Sequence, residues 1–312
     1  MKTNPPPRVT CPHAGRPTAG ARWALAGLLG LLGLATLGGC GGGGGADQPT
    51  VTTLSASPVM YGRTLFVSVS GQALDKGISL AIASGCGDIT QSAGGSDATQ
   101  QFSCRVNAIG PMTVQVLRGG GTRVASLELN VPLPQARLTT SKGVIEVELD
   151  PIKAPLSVNN FLDYLNEGYY RNTIFHRVVK ISDAVIQAGG FSTAANNGIV
   201  PKTATHNPIA LESQNGLTNL RGSIGLAREG GKPDSATSQF FFNVTDNPAF
   251  NYVNADQPGF AVFGRITVGL DVMDVIGAVP TDFRSVVING TSTLLPNVPL
   301  DNIIITAASQ IK

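Results

Sequence analysis

The stretch Asp234-Ser-Ala-Thr-Ser-Gln-Phe-Phe-Phe-Asn-Val244 decides how this chain is read, because it gathers three aromatic rings in a sequence with only 6% aromatic residues. Two stretches upstream share its character. Phe175-His176-Arg177-Val178 is a strand-like run carrying one cation among apolar residues, and Ile186-Gln187-Ala188-Gly189-Gly190-Phe191 sets an amide beside a glycine turn. Arg, Gln, Phe and small residues recur across the three, with no nucleophile and base in evident relation. Such a set can bind and polarise a group without transferring a proton.

Around these stretches the pattern is mostly strand and turn. Ala136–Thr140 and Val144–Leu149 read as a hairpin about Ser141-Lys142-Gly143. Pro155 opens a helix, where its missing N–H costs nothing. Val158, Phe161, Leu162 and Leu165 follow at i, i+3, i+4, i+7, and Gly168 ends it. A second short helix is expected over Leu270–Ile276. Pro132, Pro134 and Gln135 mark a boundary on the N-terminal side. Between residues 50 and 134 the period is two: Ala125, Leu127, Leu129 and Val131 share a face, as do Leu65, Val67 and Val69. Short strands separated by glycine turns suggest a small β-sandwich that resembles immunoglobulin-like domains of bacterial surface proteins. No chemistry is evident there, and a spacer or interaction module is the expectation.

The first residues read as a leader. Lys2, Arg8, Arg16 and Arg22 precede an uncharged run from Trp23 to Gly39, the pattern of a secretory signal. Leu37-Gly38-Gly39-Cys40 resembles the lipobox of bacterial lipoproteins, which implies a signal peptide over residues 1–39 and a lipid on Cys40. Gly41, where inner-membrane retention would call for Asp, implies the outer membrane, with the protein facing the periplasm. Residues 40–49 read as a tether spanning on the order of 17 Å. Cys11 leaves with the leader, so Cys86 and Cys104 remain; an even pair in an exported chain reads as a disulfide, with two buried thiols as the alternative.

The averages fit this division. Charged residues are 13% of 312, against about 25% in average soluble chains. A net charge of +2 leaves no basic excess for nucleic acid, and three histidines with four dispersed cysteines offer little to a metal. No cofactor is expected. Removing four basic residues and no acids with the leader turns 22 basic against 20 acidic into 18 against 20, a net charge of −2. The single tryptophan, Trp23, leaves as well.

From Ala136 to the C-terminus the chain resembles the cyclophilin-type peptidyl-prolyl cis-trans isomerases (EC 5.2.1.8), most closely the bacterial branch. The resemblance rests on GYYRNTIFHRV (Gly168–Val178), IQAGGF, NLRGSIGLAR (Asn219–Arg228), DSATSQFFFNV (Asp234–Val244) and FAVFGRI (Phe260–Ile266), in family order and spacing. It implies that residues 136–312 form a closed eight-stranded antiparallel β-barrel with a helix over each open end. So small a barrel is filled by side chains, so the groove should lie outside it. Its substrates would be proline-containing polypeptides. By resemblance, Arg177 supplies the catalytic donor, Gln187 bonds substrate backbone, and Phe241 floors the proline pocket. Ala227 and Arg228 match the edge along which substrate lies, and Gln239 a polar wall. His176 reads as structural support, on the strand face opposite Arg177, and His206 as a solvated loop residue.

There are departures. Lys180-Ile181-Ser182-Asp183-Ala184-Val185 is two residues longer than the usual segment and lacks its aromatic and methionine; Val185 takes the methionine's place. Phe250 replaces the drug-contacting tryptophan, Asn251 a leucine, and Phe260 a histidine or tyrosine. Weak cyclosporin binding is therefore expected. Two functions compete: an isomerase assisting the folding of exported proteins, and a proline-peptide-binding chaperone or scaffold with little turnover.

Overall fold

The computed structural model describes Leu34–Thr36 and residues 48–312. The fold is almost entirely β. Strands β1 (Leu34–Thr36), β2 (Thr50–Ala56), β3 (Thr64–Gln72), β4 (Ile78–Ile82), β5 (Cys86–Gln91), β6 (Thr99–Val106), β7 (Gly110–Arg118) and β8 (Thr122–Val131) form two sheets, ordered β1-β2-β3-β6-β5 and β4-β7-β8. The period-two faces meet as expected: Leu54, Leu65, Val67 and Val69 of the larger sheet are buried with Val114, Val116, Ala125 and Leu127 of the smaller. Cys86 and Cys104 are joined by a disulfide between neighbouring strands β5 and β6 of one sheet. The leader and tether, with Cys40, lie outside the described residues except for β1, which pairs with β2 at Leu34↔Ser55.

The remaining elements are β9 (Gln135–Thr140), β10 (Gly143–Leu149), α1 (Pro155–Asn166), β11 (Thr173–Val179), β12 (Val185–Ala194), β13 (Gly198–Pro201), β14 (Ser223–Leu226), β15 (Phe240–Asn243), β16 (Val262–Val268), α2 (Leu270–Ala278), β17 (Thr281–Ile288), β18 (Thr291–Pro299) and β19 (Ile305–Gln310). Eight of them run antiparallel in the order β11-β12-β15-β14-β16-β10-β9-β19. The bridge Ile174↔Ile304 and the bond from Phe175 N–H to the Ile303 carbonyl nearly close the circuit between β11 and β19. Alternation sends Ala136, Leu138, Ile145, Val147 and Leu149 inward.

Helix α1 starts at Pro155 and runs to Asn166, with Gly168 at φ 74° beyond its end. Its N-cap Ala154 has no side-chain acceptor. The Glu212 carboxylate substitutes, accepting the Leu156 and Ser157 N–H groups at 2.9 and 2.7 Å and the Ser157 hydroxyl at 2.7 Å. Phe161 of α1 packs against Tyr170, Phe240 and Phe263 with ring centroids 5.2–5.4 Å apart. Helix α2 buries Met273 and Ile276. The hairpin β17–β18 forms a two-stranded sheet whose Val286 and Val298 close a second small core over Ile174, Phe191 and Ile199.

Candidate active site

The three stretches that opened the sequence reading become neighbours on the outer face of one sheet. Strand β12 lies between β11 and β15, with Arg177↔Gln187 and Gln187↔Phe241 in register. Arg177 is exposed, Gln187 half-buried and Phe241 nearly covered, which gives an open polar edge above an apolar floor. An Arg177 Nη1–H donates to Gln187 Oε1 at 3.4 Å, and Gln187 Nε2–H donates to Gln239 Oε1 at 2.9 Å.

Phe241 meets two further rings almost edge-on: Phe250 at 6.0 Å and 82°, and Phe260 at 5.6 Å and 85°. Phe250 and Phe260 are themselves 5.0 Å apart. The three rings form an apolar box beside the Arg177–Gln187 pair. Glycine makes it possible. A Cβ on Gly225 would stand 2.5 Å from Phe241 Cζ, so no other residue leaves this ring its place. Gly190 likewise admits Gln239, whose Cδ would lie 2.5 Å from a Cβ there.

Arg228 lies over the Phe260 ring, its guanidinium carbon 4.7 Å from the centroid, while its Nε–H donates to the Gly259 carbonyl at 3.0 Å. Ala227 continues the edge beyond β14, its N–H bound to the Gln239 carbonyl at 2.9 Å. Gln187, Ala227, Arg228, Gln239, Glu229, Ser235 and Thr237 line a cavity of about 140 Å³ next to the box. A larger one, about 320 Å³, lies between Leu133 and β16, but its arginines are already paired, Arg221 with Asp274 and Arg265 with Glu148. The smaller cavity, with its converging amides and guanidinium, is the one that suits peptide recognition.

Val185 occupies the same sheet face as Gln187, yet it is buried, held between Val179 and Asn243. The preceding loop turns through two successive left-handed residues, Ser182 at φ 43° and Asp183 at φ 55°. Its end is anchored at the Ala184 carbonyl, which accepts the Val244 N–H at 2.9 Å and Asn247 Nδ2–H at 3.1 Å. Asn251, the substitute for leucine, accepts the Asn219 N–H at 2.7 Å.

Strand β11 bulges beside the site: two residues advance from Phe175 to Arg177 while β12 advances one, from Ala188 to Gln187. His176 is the extra residue. Its ring is buried against Phe191 at 4.7 Å, and burial holds its pKa down to about 4. His206 is exposed but not merely solvated: Nε2 lies 3.0 Å from the Glu167 carboxylate, and the ring stands edge-on to Tyr164.

Sequence reasoning passed over the supports. Asn243 Nδ2 donates to Asn219 Oδ1 and Ser223 Oγ, and Asn247 Nδ2 donates to Asn243 Oδ1 at 2.7 Å, a buried amide cluster behind the Phe241 strand. Amides within apolar runs were the available signal. Gly225 gave none, since its role depends on a ring from another strand.

The family model for cyclophilin type peptidyl-prolyl cis-trans isomerase matches residues 135–307. The chain is 46% identical over 175 residues to peptidyl-prolyl cis-trans isomerase A of Dickeya dadantii (strain 3937), a match spanning 56% of this chain and 83% of that one. It is 40% identical over 172 residues to peptidyl-prolyl cis-trans isomerase B of Escherichia coli (strain K12), spanning 54% of this chain and 95% of the other. Among solved structures, a cyclophilin type isomerase of Cryptosporidium parvum is similar with a TM-score of 0.45 and 24% identity, covering 58% of this chain and 99% of that one.

Proposed function

The chain belongs to the cyclophilin-type peptidyl-prolyl cis-trans isomerases, and we propose that it accelerates rotation about X–Pro bonds in the groove between Arg177 and the Phe241–Phe250–Phe260 box. The observation that carries this reading is the meeting of a fixed guanidinium and amide with an aromatic box on one sheet face. An X–Pro bond resists rotation by about 18–20 kcal/mol because of its C–N double-bond character. Nothing covalent need form. The box holds the proline ring, Gln187 and the Ala227–Arg228 edge hold the flanking peptide units, and only the central bond is left to turn.

As the bond twists, the prolyl nitrogen becomes pyramidal and basic. Arg177 donates to it more strongly than to the planar amide, and this difference lowers the barrier. Because Arg177 also donates to Gln187, its guanidinium is held over the groove before substrate arrives. The binding-only alternative is not favoured, since relatives at 40–47% identity carry the isomerase name. NMR exchange spectroscopy on an Ala-Pro tetrapeptide tests the reading: catalytic amounts of protein should produce saturable cis–trans cross-peaks. Saturable binding with no exchange would leave only the binding module.

The altered walls set the selectivity. Phe250 in place of tryptophan and a short Ala184 support weak cyclosporin binding. The leader motif supports export, cleavage before Cys40 and lipidation there, so that the isomerase would act at the outer membrane on exported polypeptides. Cleavage would also remove β1 and free the edge of β2. Residues 50–134 would serve as an immunoglobulin-like spacer. Mass analysis of the mature N-terminus should find an acylated Cys40; an unmodified or uncleaved N-terminus would refute the anchor.

A further inference from the structure

The hairpin β17–β18 carries apolar side chains on both faces. Val286 and Val298, on its inner side, pack over Ile174, Phe191 and Ile199. Its outer side carries Phe283, Val287 and Leu294, which are 62%, 61% and 61% exposed. The register brings these three together: Ser285, midway between Phe283 and Val287, pairs with Leu294, and the Ser285 and Ser292 hydroxyls meet at 2.8 Å beside them. Diagonal neighbours on one sheet face lie within reach of long side chains, so the three make one patch.

No charge lies within it. From Ser285 to Leu300 the sequence has no charged residue. Arg284 is turned inward, its guanidinium donating to Asn302 Oδ1 at 2.8 Å and to the Asn197 and Pro299 carbonyls. Asp282 stands at the start of the strand, its carboxylate accepting the Phe283 N–H at 2.7 Å. Exposed strands are ordinarily guarded by charge, and monomeric proteins seldom leave a contiguous apolar patch without a use. An uncharged surface of this kind suits an apolar chain segment, not an ionic ligand.

The position of the patch points to whose segment it is. Strands β11 and β12 carry the hairpin and the groove on the same outer face, with Ile174 and Phe191 under the hairpin and Arg177 and Gln187 in the groove. At the rise of a strand the two sets are about 10–13 Å apart, and the hairpin adds a packing layer of about 10 Å. The patch therefore stands about 15 Å from the groove, the reach of about five extended residues.

We propose that the outer face of β17–β18 is a second binding site for the polypeptide whose proline lies in the groove, taking an apolar segment about five residues from that proline. This rests on the reading of that groove as the isomerase site. An unfolded chain would be held at both places while its X–Pro bond turns. A folded protein, with its apolar segments buried, offers the patch nothing.

The test compares the tetrapeptide Ala-Ala-Pro-Phe with the same peptide joined through five Gly and Ser residues to Leu-Val-Phe, on its N-terminal side in one peptide and its C-terminal side in another. By NMR exchange spectroscopy, at least one extended peptide should show a KM about tenfold below that of the tetrapeptide at unchanged kcat, and a one-residue spacer should lose the gain. In the triple variant Phe283→Thr, Val287→Thr, Leu294→Thr, the tetrapeptide should turn over as in wild type while the extended peptides lose their advantage. Equal KM for plain and extended peptides in wild type, or an advantage that persists in the variant or with the short spacer, would overturn the proposal. If the triple variant fails to turn over the tetrapeptide, Val287→Lys, which only adds a charge to the patch, decides by the same comparison. Equal KM together with a dimer that sediments in wild type but not in the variant would give the patch to a second copy of the chain instead. Wild type that fails to turn over the plain tetrapeptide would sink the groove reading itself; equal KM with intact turnover would sink only the second site.

Discussion

The residues of the proposed site fall into those placed to meet a substrate and those that make room. Arg177, Gln187 and Phe241 were legible because their stretches combine rare residue types at family spacing. Gly225 and Gly190 were not, because the space they leave is filled by Phe241 and Gln239 from other parts of the chain. Gly225→Ala should overpack the floor by about 1–3 kcal/mol and tilt Phe241 out of the box, lowering kcat/KM about tenfold, read by steady-state assay. His176 leaves its mark on stability. Above its ordinary pKa of 6.5 it is neutral in both the folded and unfolded chain. Below that, the unfolded chain binds a proton that the folded one refuses until pH falls to about 4. Stability should therefore decline as pH drops through this window, by about 3 kcal/mol in all. Denaturant midpoints measured at pH 7, 5 and 4 should show that slope in wild type and a shallower one in His176→Gln.

Elements were legible where periodicity was strong. The α1 stripe and the β9–β10 hairpin lie where apolar spacing and turn residues place them. The bulge at His176 was not, because one inserted residue changes pairing without changing composition. The β17–β18 hairpin was also missed: its outer face exposes Phe283, Val287 and Leu294, which blurs the alternation, while Val286 and Val298 are buried inward. The pairing of Cys86 with Cys104 was legible from an even count in a chain whose first residues read as a leader. Its bond spans 18 residues and ties β5 to β6 in the N-terminal sheet. The double variant Cys86→Ser, Cys104→Ser should lose about 3 kcal/mol in chemical denaturation while turnover per folded molecule stays unchanged. A comparable loss of turnover would tie that sheet to the groove.

At the scale of the molecule, the sequence suggests two separate folded units, and the structure joins them through a shared core. One buried cluster runs from Leu54, Leu65 and Phe102 through Tyr61 and Leu162 into the barrel interior. Leu162 of α1 lies against Gly62, 3.7 Å from the position of a Cβ there, and Gln310 Nε2–H of β19 donates to the Tyr61 carbonyl at 2.9 Å. The exposed Arg105–Asp163 pair at 3.1 Å adds at most about 1 kcal/mol, so apolar contact is the larger share. Calorimetry should accordingly give one unfolding transition; two well-separated transitions would contradict a shared core. This continuity could not be read from the Pro132-Leu-Pro134 boundary, which marks where strands stop but not where packing does. The groove lies on β11, β12 and β15, whereas the N-terminal sheet meets the barrel at α1 and β19. That this groove turns X–Pro bonds can be checked by a protease-coupled tetrapeptide assay of wild type against Arg177→Ala. Wild type should isomerise the peptide much faster than the uncatalysed time of roughly 10–100 s, and the variant about 100-fold more slowly than wild type. Wild-type rates no faster than background, or equal rates in both proteins, would contradict it.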